Sequence, residues 1–399
     1  MIFKFKTGLF YLVVFTLPMY TKVNNIALVV FVVLDLIEFV LNRRRVENVK
    51  QFFVGWPIVA FFGLSLLASF RTWDIQALKF LENHWSLLFI PFVMLTNARE
   101  YHSKRREIFL ALLIGTTLTI LICNVNHVLE MLSNGIVFDQ WFNGENLGQE
   151  FTNIADTQPA YLGLFVVTSI LFLIQDNIIV KWLRYVILGV LLIGLFQLTS
   201  KIALLLFLLF LLYMISYNLK KRKQQSIVLI SGLFICAFVF IVFGAKYMKG
   251  QLFFVDTILD EKRIERWEVS YEIFKEHPLV GVGYAEIDEV RKKKYVEGDY
   301  SLAAANELNA HNQFLEYLSV DGAIGGFVYA VTLAFLFFLS IERKDHLFTF
   351  VFFAFILANL TESMMVRIKG IEYFAIFASL FLCSVKRSSA KQDDLAQVS

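Results

Sequence analysis

The chain has 399 residues, of which 58% are hydrophobic and 18% charged, with 43 Phe and a formal net charge of +3. Soluble domains run at roughly 45–50% apolar residues, so this composition excludes a soluble or merely surface-anchored domain and makes the bilayer the solvent. The net charge is small, its placement matters more than its size, and no nucleic-acid partner is expected.

A membrane span needs about 20 mostly apolar residues, which at 1.5 Å per residue cross roughly 30 Å of hydrocarbon. The opening MIFKFKTGLFYLVVFTLPMY has a basic start and a short apolar run but no small-x-small cleavage site, so it reads as a retained first span. Apolar runs then predict about twelve spans, near 8–21, 24–41, 52–70, 82–96, 107–132, 159–176, 182–199, 201–218, 226–245, 321–341, 346–362 and 371–385. With that count the basic loops NRRRVENVK (42–50), REYHSKRR (99–106), KWLR (181–184), LKKRK (219–223), ERK (342–344) and the tail from Lys386 fall on one side, with Lys4 and Lys6. By the positive-inside rule that side is the cytoplasm, and both termini lie there. An odd number of spans before the long loop would break this agreement. Cys123, Cys236 and Cys383 lie within apolar runs and show neither a disulfide framework nor metal-ligand spacing.

The outer face receives two long loops. Residues 133–158 are polar and aromatic, with Trp141 and Phe142 able to shape access to a site. The second loop, about 246–320, is far longer than a simple connection. Within it, helical spacing over 261–276 puts Ile264, Trp267, Tyr271 and Phe274 on one face; Pro278 stops that helix, and Gly281 and Gly283 mark a tight turn. Residues 306–320 read as a second helix running into the next span. The expected organisation is 1–245 with spans one to nine, 246–320 as the outer loop, 321–385 with three spans, and 386–399 as a cytoplasmic tail. The fold class is all-α and polytopic.

Chemistry concentrates at the outer face. His102 and His346 fall in predicted cytoplasmic loops, and His277 precedes Pro278 and shapes a turn. His84 and His127 lie near outer span ends, where a lone His is usually structural, although intramembrane polar groups tend to be functional. His311 stands beside Asn312 and Gln313, ahead of Gly322 and Gly326, whose G-x-x-x-G spacing lets a neighbour approach closely. An imidazole there is either a general base for a hydroxyl or a helix cap. Arg263 and Arg266 in KRIERW, and Lys201 after LTS, offer cations to an anionic ligand, the arginines as planar forks and the lysine as a point charge. Arg291 and Lys292–Lys294 read as a solvated face. Glu362, Arg367 and Lys369 share the last outer loop, where they pair with one another or Glu362 reaches into the site. Gln158 and Glu145 are further candidates.

Three stretches resemble the O-antigen ligase and polymerase superfamily of polytopic membrane glycosyltransferases. RIERWEVSYEIFKEHPLVGVGY is similar to its Arg-x-x-x-Trp, helix, His-Pro-Leu-x-Gly-x-Gly pattern. HNQFLEYLSVDGAIGG matches its His-Asn, nine residues, Gly-x-x-Gly pattern through His311, Asn312, Gly322 and Gly325. LTSKIALL resembles its Thr-x-Ser-Arg segment, with Lys201 where Arg is usual: the charge is kept and the bidentate fork is lost. The resemblance covers roughly 195–340. It implies a GT-C-type fold in the bacterial inner membrane and transfer at the periplasmic face of an oligosaccharide from undecaprenyl pyrophosphate, without metal or nucleotide sugar. A ligase uses a lipid A–core hydroxyl as acceptor; a polymerase uses another lipid-linked glycan. The implied roles are His311 as base and Arg263 as catalytic cation, with Lys201, Arg266, Asn312, Glu362, Gln158 and His127 around the substrates. A ligase is favoured over a polymerase of the repeat units and over a protein O-oligosaccharyltransferase. An anion or lipid-linked glycan transporter is the rival from another class. It is disfavoured because no two halves match and the candidate residues gather at one membrane face rather than the midplane.

Overall fold

The computed structural model describes residues 2–41, 49–72, 75–142, 146–176, 179–219, 261–305 and 308–384. These residues form helices, turns and loops, with no strand among them. In chain order the helices are α1 (Ile2–Thr16), α2 (Thr21–Leu41), α3 (Val49–Phe52), α4 (Trp56–Thr72), α5 (Ile75–His84), α6 (Ser86–Thr96), α7 (Ala98–Ser103), α8 (Arg105–Ser133), α9 (Gln149–Thr152), α10 (Pro159–Gln175), α11 (Lys181–Gln197) and α12 (Lys201–Leu219). They continue as α13 (Glu261–Glu276), α14 (Ile287–Glu297), α15 (Ser301–Ala305), α16 (Gln313–Glu342), α17 (His346–Asn359) and α18 (Ile368–Leu382).

Each predicted span holds a helix in the described residues except 226–245, which lies outside them, as does the tail from Lys386. The helices vary in length. Among the described residues, four stretches are long and apolar enough to cross a bilayer: Thr21–Leu41, Phe53–Phe70, Arg105–Ser133 and Gln313–Glu342. A fifth, α10, counts when joined to the Gln149–Ala155 segment across a 77° bend. The expected run 8–21 ends early because Pro18 lacks the N–H a continuing helix needs, and Tyr20 turns left-handed at φ 40°. The run 82–96 is split at Trp85 into α5 and α6.

The core is a bundle in which α1 packs on α2 and α8, α8 on α10, α6 on α18, and α16 on α17. In a bilayer such contacts rest on close packing rather than on expelling water. Gly115 shows how close: a Cβ there would come within 2.0 Å of the Phe15 carbonyl oxygen on α1. Charge inside the bundle is matched. Lys6 is buried and donates to Asp35 at 2.7 Å and to Glu38 at 2.8 Å, so the carboxylates of the second span have a structural partner.

Residues 261–305 build a lobe on one end of the bundle, with a small core of Val269, Ile273, Val282, Tyr284, Ile287, Tyr295, Ala303 and Ala304 closed against Ala68 and Val320. α13 has the expected bounds, but its buried stripe is Val269, Ser270 and Ile273; Ile264 and Tyr271 face outward. The lobe core is aliphatic on this side, so Val269 and Ile273 enter it. Arg291, expected to be solvated, is 3% exposed and bridges Glu316 on α16 at 2.9 Å. Lys294 bridges Glu276, joining α14 to α13 at 2.5 Å.

Candidate active site

The site begins with a break in α16. Gly322 has φ 65° and ψ −157°, which interrupts the helix and leaves backbone groups on either side without their i±4 partners. The His-Pro-Leu-x-Gly-x-Gly segment supplies them. The N–H groups of Val282 and Gly283 donate to the carbonyls of Ser319 and Val320 at 3.0 and 2.8 Å, and Ala323 N–H donates to Pro278 O at 2.8 Å. Glycine is required on both sides of this contact. A Cβ on Gly281 would sit 2.3 Å from the Val320 carbonyl, and one on Gly322 would sit 2.4 Å from the Leu279 carbonyl carbon. The G-x-x-x-G pair therefore admits a loop at Gly322, while Gly326 faces Leu318 and Phe314 of its own helix.

The start of α16 positions His311. The expected helix over 306–320 begins only at Gln313, because the Asn312 side chain caps it by accepting from the N–H groups of Phe314 and Leu315. His311 precedes the cap in the left-handed region at φ 46°, and its N–H donates to Asn309 Oδ1 at 3.1 Å. Of the two readings of His311, the cap belongs to Asn312 instead, whose Nδ2 also reaches Leu360 O at 3.4 Å. Glu316 holds the turn from below: one oxygen takes Arg291, and the other accepts from Ala310 N–H at 3.0 Å. Tyr295 closes the same turn by donating to Leu308 O at 3.1 Å. Burial pushes its phenol up to about 12, so it keeps that proton.

His311 Nδ1 lies 3.1 Å from Glu362 Oε2, both partly exposed. The two line a cavity of about 400 Å³ with Arg263, Lys201, Gln158, Gln149, Thr361 and the apolar Ala160, Leu198, Ile202 and Leu205. Arg263 enters from the first turn of α13 and Lys201 from the first turn of α12; Gln158 precedes α10. Thus Gln158, Lys201, Arg263, His311 and Glu362, chosen from five distant parts of the sequence, come together. Of the alternatives for the last loop, Glu362 is the group that reaches the histidine, and Lys369 donates to Asp156 O at 2.7 Å.

Arg266, Asn312 and His127 line no cavity with them. Asn312 is spent as the cap. His127 is buried, with Nε2 3.1 Å from Trp141 O, so it ties α8 to the 133–158 loop. Among the described residues no group of three or more His, Cys, Asp or Glu side chains is placed to hold a metal ion. Glu316 and Arg291 escaped the sequence reading. A carboxylate one turn into a helix that runs into a span was their one available signal.

Residues 185–330 match the family model described as O-antigen ligase. Over that segment the chain is similar to the O-antigen ligases and polymerases. The O-antigen ligase segment holds the Lys201, Arg263 and His311 positions and both glycine contacts, while Glu362 and Gln158 are brought in from outside it. The comparison with curated proteins gives no match. Family members are glycosyltransferase-like, which supports a glycosyl-transfer enzyme of a bacterial membrane in general terms.

Proposed function

We propose that the chain is an O-antigen ligase. It transfers a glycan from undecaprenyl pyrophosphate to a sugar hydroxyl of lipid A–core at the periplasmic face of the inner membrane. The observation that carries the reading is the His311–Glu362 pair in one cavity with Arg263 and Lys201. With Nδ1–H directed at the Glu362 carboxylate, the ring presents Nε2 as the lone-pair acceptor. His311 then takes the proton of the acceptor hydroxyl as its oxygen bonds to the anomeric carbon. The bond from that carbon to the phosphate oxygen breaks, and the electron pair leaves on undecaprenyl pyrophosphate. Arg263 and Lys201 stand where fixed cations lower the cost of that charge. The apolar wall of Ala160, Leu198, Ile202 and Leu205 suits the lipid end of the donor.

General-base help is worth roughly 10²–10⁴-fold. Purified His311→Ala should therefore lose transfer by about that factor while inserting and melting as the wild type does. Transfer near the wild-type rate would end the proposal. Ligase, polymerase and protein-glycosylating readings separate by glycan profiling of a deletion strain: bare lipid A–core for a ligase, one repeat on it for a polymerase, no change in either for a protein glycosyltransferase.

A further inference from the structure

A second cavity, about 500 Å³, adjoins the first. Gln149 and Gln158 line both, so they form the partition. The last outer loop serves both as well: Thr361 and Glu362 face the first, Val366 and Arg367 the second. The two linings differ in the side chains they present. The first pairs cations with an aliphatic wall. The polar lining of the second is mostly amides and hydroxyls, namely Thr21, Asn25, Asn83, Asn153, Thr157 and Tyr161, beside the aliphatic Val366 and Ile368. Amides and hydroxyls that offer donors and acceptors together are what ring hydroxyls require.

Its charges are arranged. Lys369 is only 6% exposed, and its ammonium is fixed on Asp156 O at 2.7 Å. Arg367 stands exposed at the rim two residues earlier. The Asp156 carboxylate lines the cavity too and accepts from Thr21 N–H at 3.3 Å. Glu372 is buried one turn deeper on α18 and lines neither cavity. The cationic side of the cavity is thus the 367–369 segment, and the rest is neutral or, at Asp156, an acceptor for hydroxyls.

We propose that this second cavity seats the acceptor, specifically a sugar bearing an acidic group, carboxylate or phosphate, held against Arg367 and Lys369. The inference rests on the glycosyl-transfer reading and goes beyond it. The donor diphosphate occupies the chamber with Arg263 and Lys201. The acceptor hydroxyl reaches His311 past the Gln149–Gln158 partition, from the side of Glu362. The cavity selects by charge and ring hydroxyls, and the lipid of the acceptor contributes nothing to it.

The test is direct binding to the purified full-length protein, read by saturation-transfer NMR with glucuronate, glucose 6-phosphate and glucose as probes. Wild type should bind at least one acidic probe and bind glucose roughly tenfold more weakly or worse. Arg367→Gln and Asn83→Ala should each weaken the acidic probe, with Arg367→Lys recovering part of the loss. Lys293→Gln, exposed on α14 and lining neither cavity, should bind as wild type does. Preference for glucuronate or for glucose 6-phosphate identifies the acid. Undecaprenyl pyrophosphate should leave the bound probe in place. No binding of either acid at millimolar concentration, binding that survives both substitutions, or displacement by undecaprenyl pyrophosphate would overturn the inference. Binding of the acidic probe with no glycosyl transfer by wild type would fault the ligase reading and leave the acidic-sugar site standing.

Discussion

Replacing Arg291 by Met tests whether the lobe positions the histidine. The guanidinium and the Glu316 carboxylate are both nearly inaccessible, 3% and 6% exposed, so solvent screening gives little relief. Met keeps the length of the side chain and removes the charge, leaving a buried carboxylate that still holds Ala310 N–H. Breaking a buried pair from one side costs about 3–5 kcal/mol. At 1.4 kcal/mol per tenfold, local opening of the turn should become on the order of a hundred to several thousand times more frequent. Hydrogen exchange of peptides covering 308–316 measures this, because Ala310 is fully buried. Transfer should fall with it, since a 1 Å error in the base costs about 10²-fold. In the Arg291→Met/Glu316→Gln protein an amide oxygen still accepts from Ala310 N–H and no charge is stranded, so most of the protection should return. Unchanged exchange in the single variant, or a double variant no better than the single, would refute the idea that Glu316 is the strut under His311.

Gly322→Ala forces a side chain into φ 65°, worth about 1–2 kcal/mol, and sets its Cβ against the Leu279 carbonyl. It should lower the melting temperature far more than Gly326→Ala, whose new methyl meets the flexible end of Leu318, and equal effects would count against the loop-for-helix exchange. Arg263→Ala should raise the donor KM more than Arg263→Lys does; equal loss in both would favour geometry over charge. Lys294 holds the Glu276 carboxyl below its usual range, so the bridge supports α14 at neutral pH and that support is lost as pH falls through the lowered value. Exchange over 287–297 in wild type should therefore approach that of Glu276→Gln on acidification, and a constant gap between the two would contradict it.

Legibility in the sequence followed the range of the forces involved. Apolar runs located the helices because burial in lipid is read residue by residue, and α13 had its expected bounds because 3.6-residue spacing and Pro278 are local signals. Length was less legible: the short first helix and the split at Trp85 depend on what packs against each end. The motif residues His311, Arg263 and Lys201 were nameable because a resemblance attached chemistry to them, and the His311–Glu362 contact was open as one of two alternatives. Arg291 was misread because a basic run looks solvated whichever of its members turns inward. Its partner lies 25 positions away, and only the folded lobe brings them together. The same holds for the glycines. Each looked like a turn or a packing notch in isolation, yet Gly281 and Gly322 are two halves of one contact, in which a loop replaces the backbone bonds that a broken helix gives up. That contact explains why the two glycine motifs occur together in one chain: a side chain on either glycine would clash with the backbone across the contact, and the broken helix would lose the loop groups that pair its backbone.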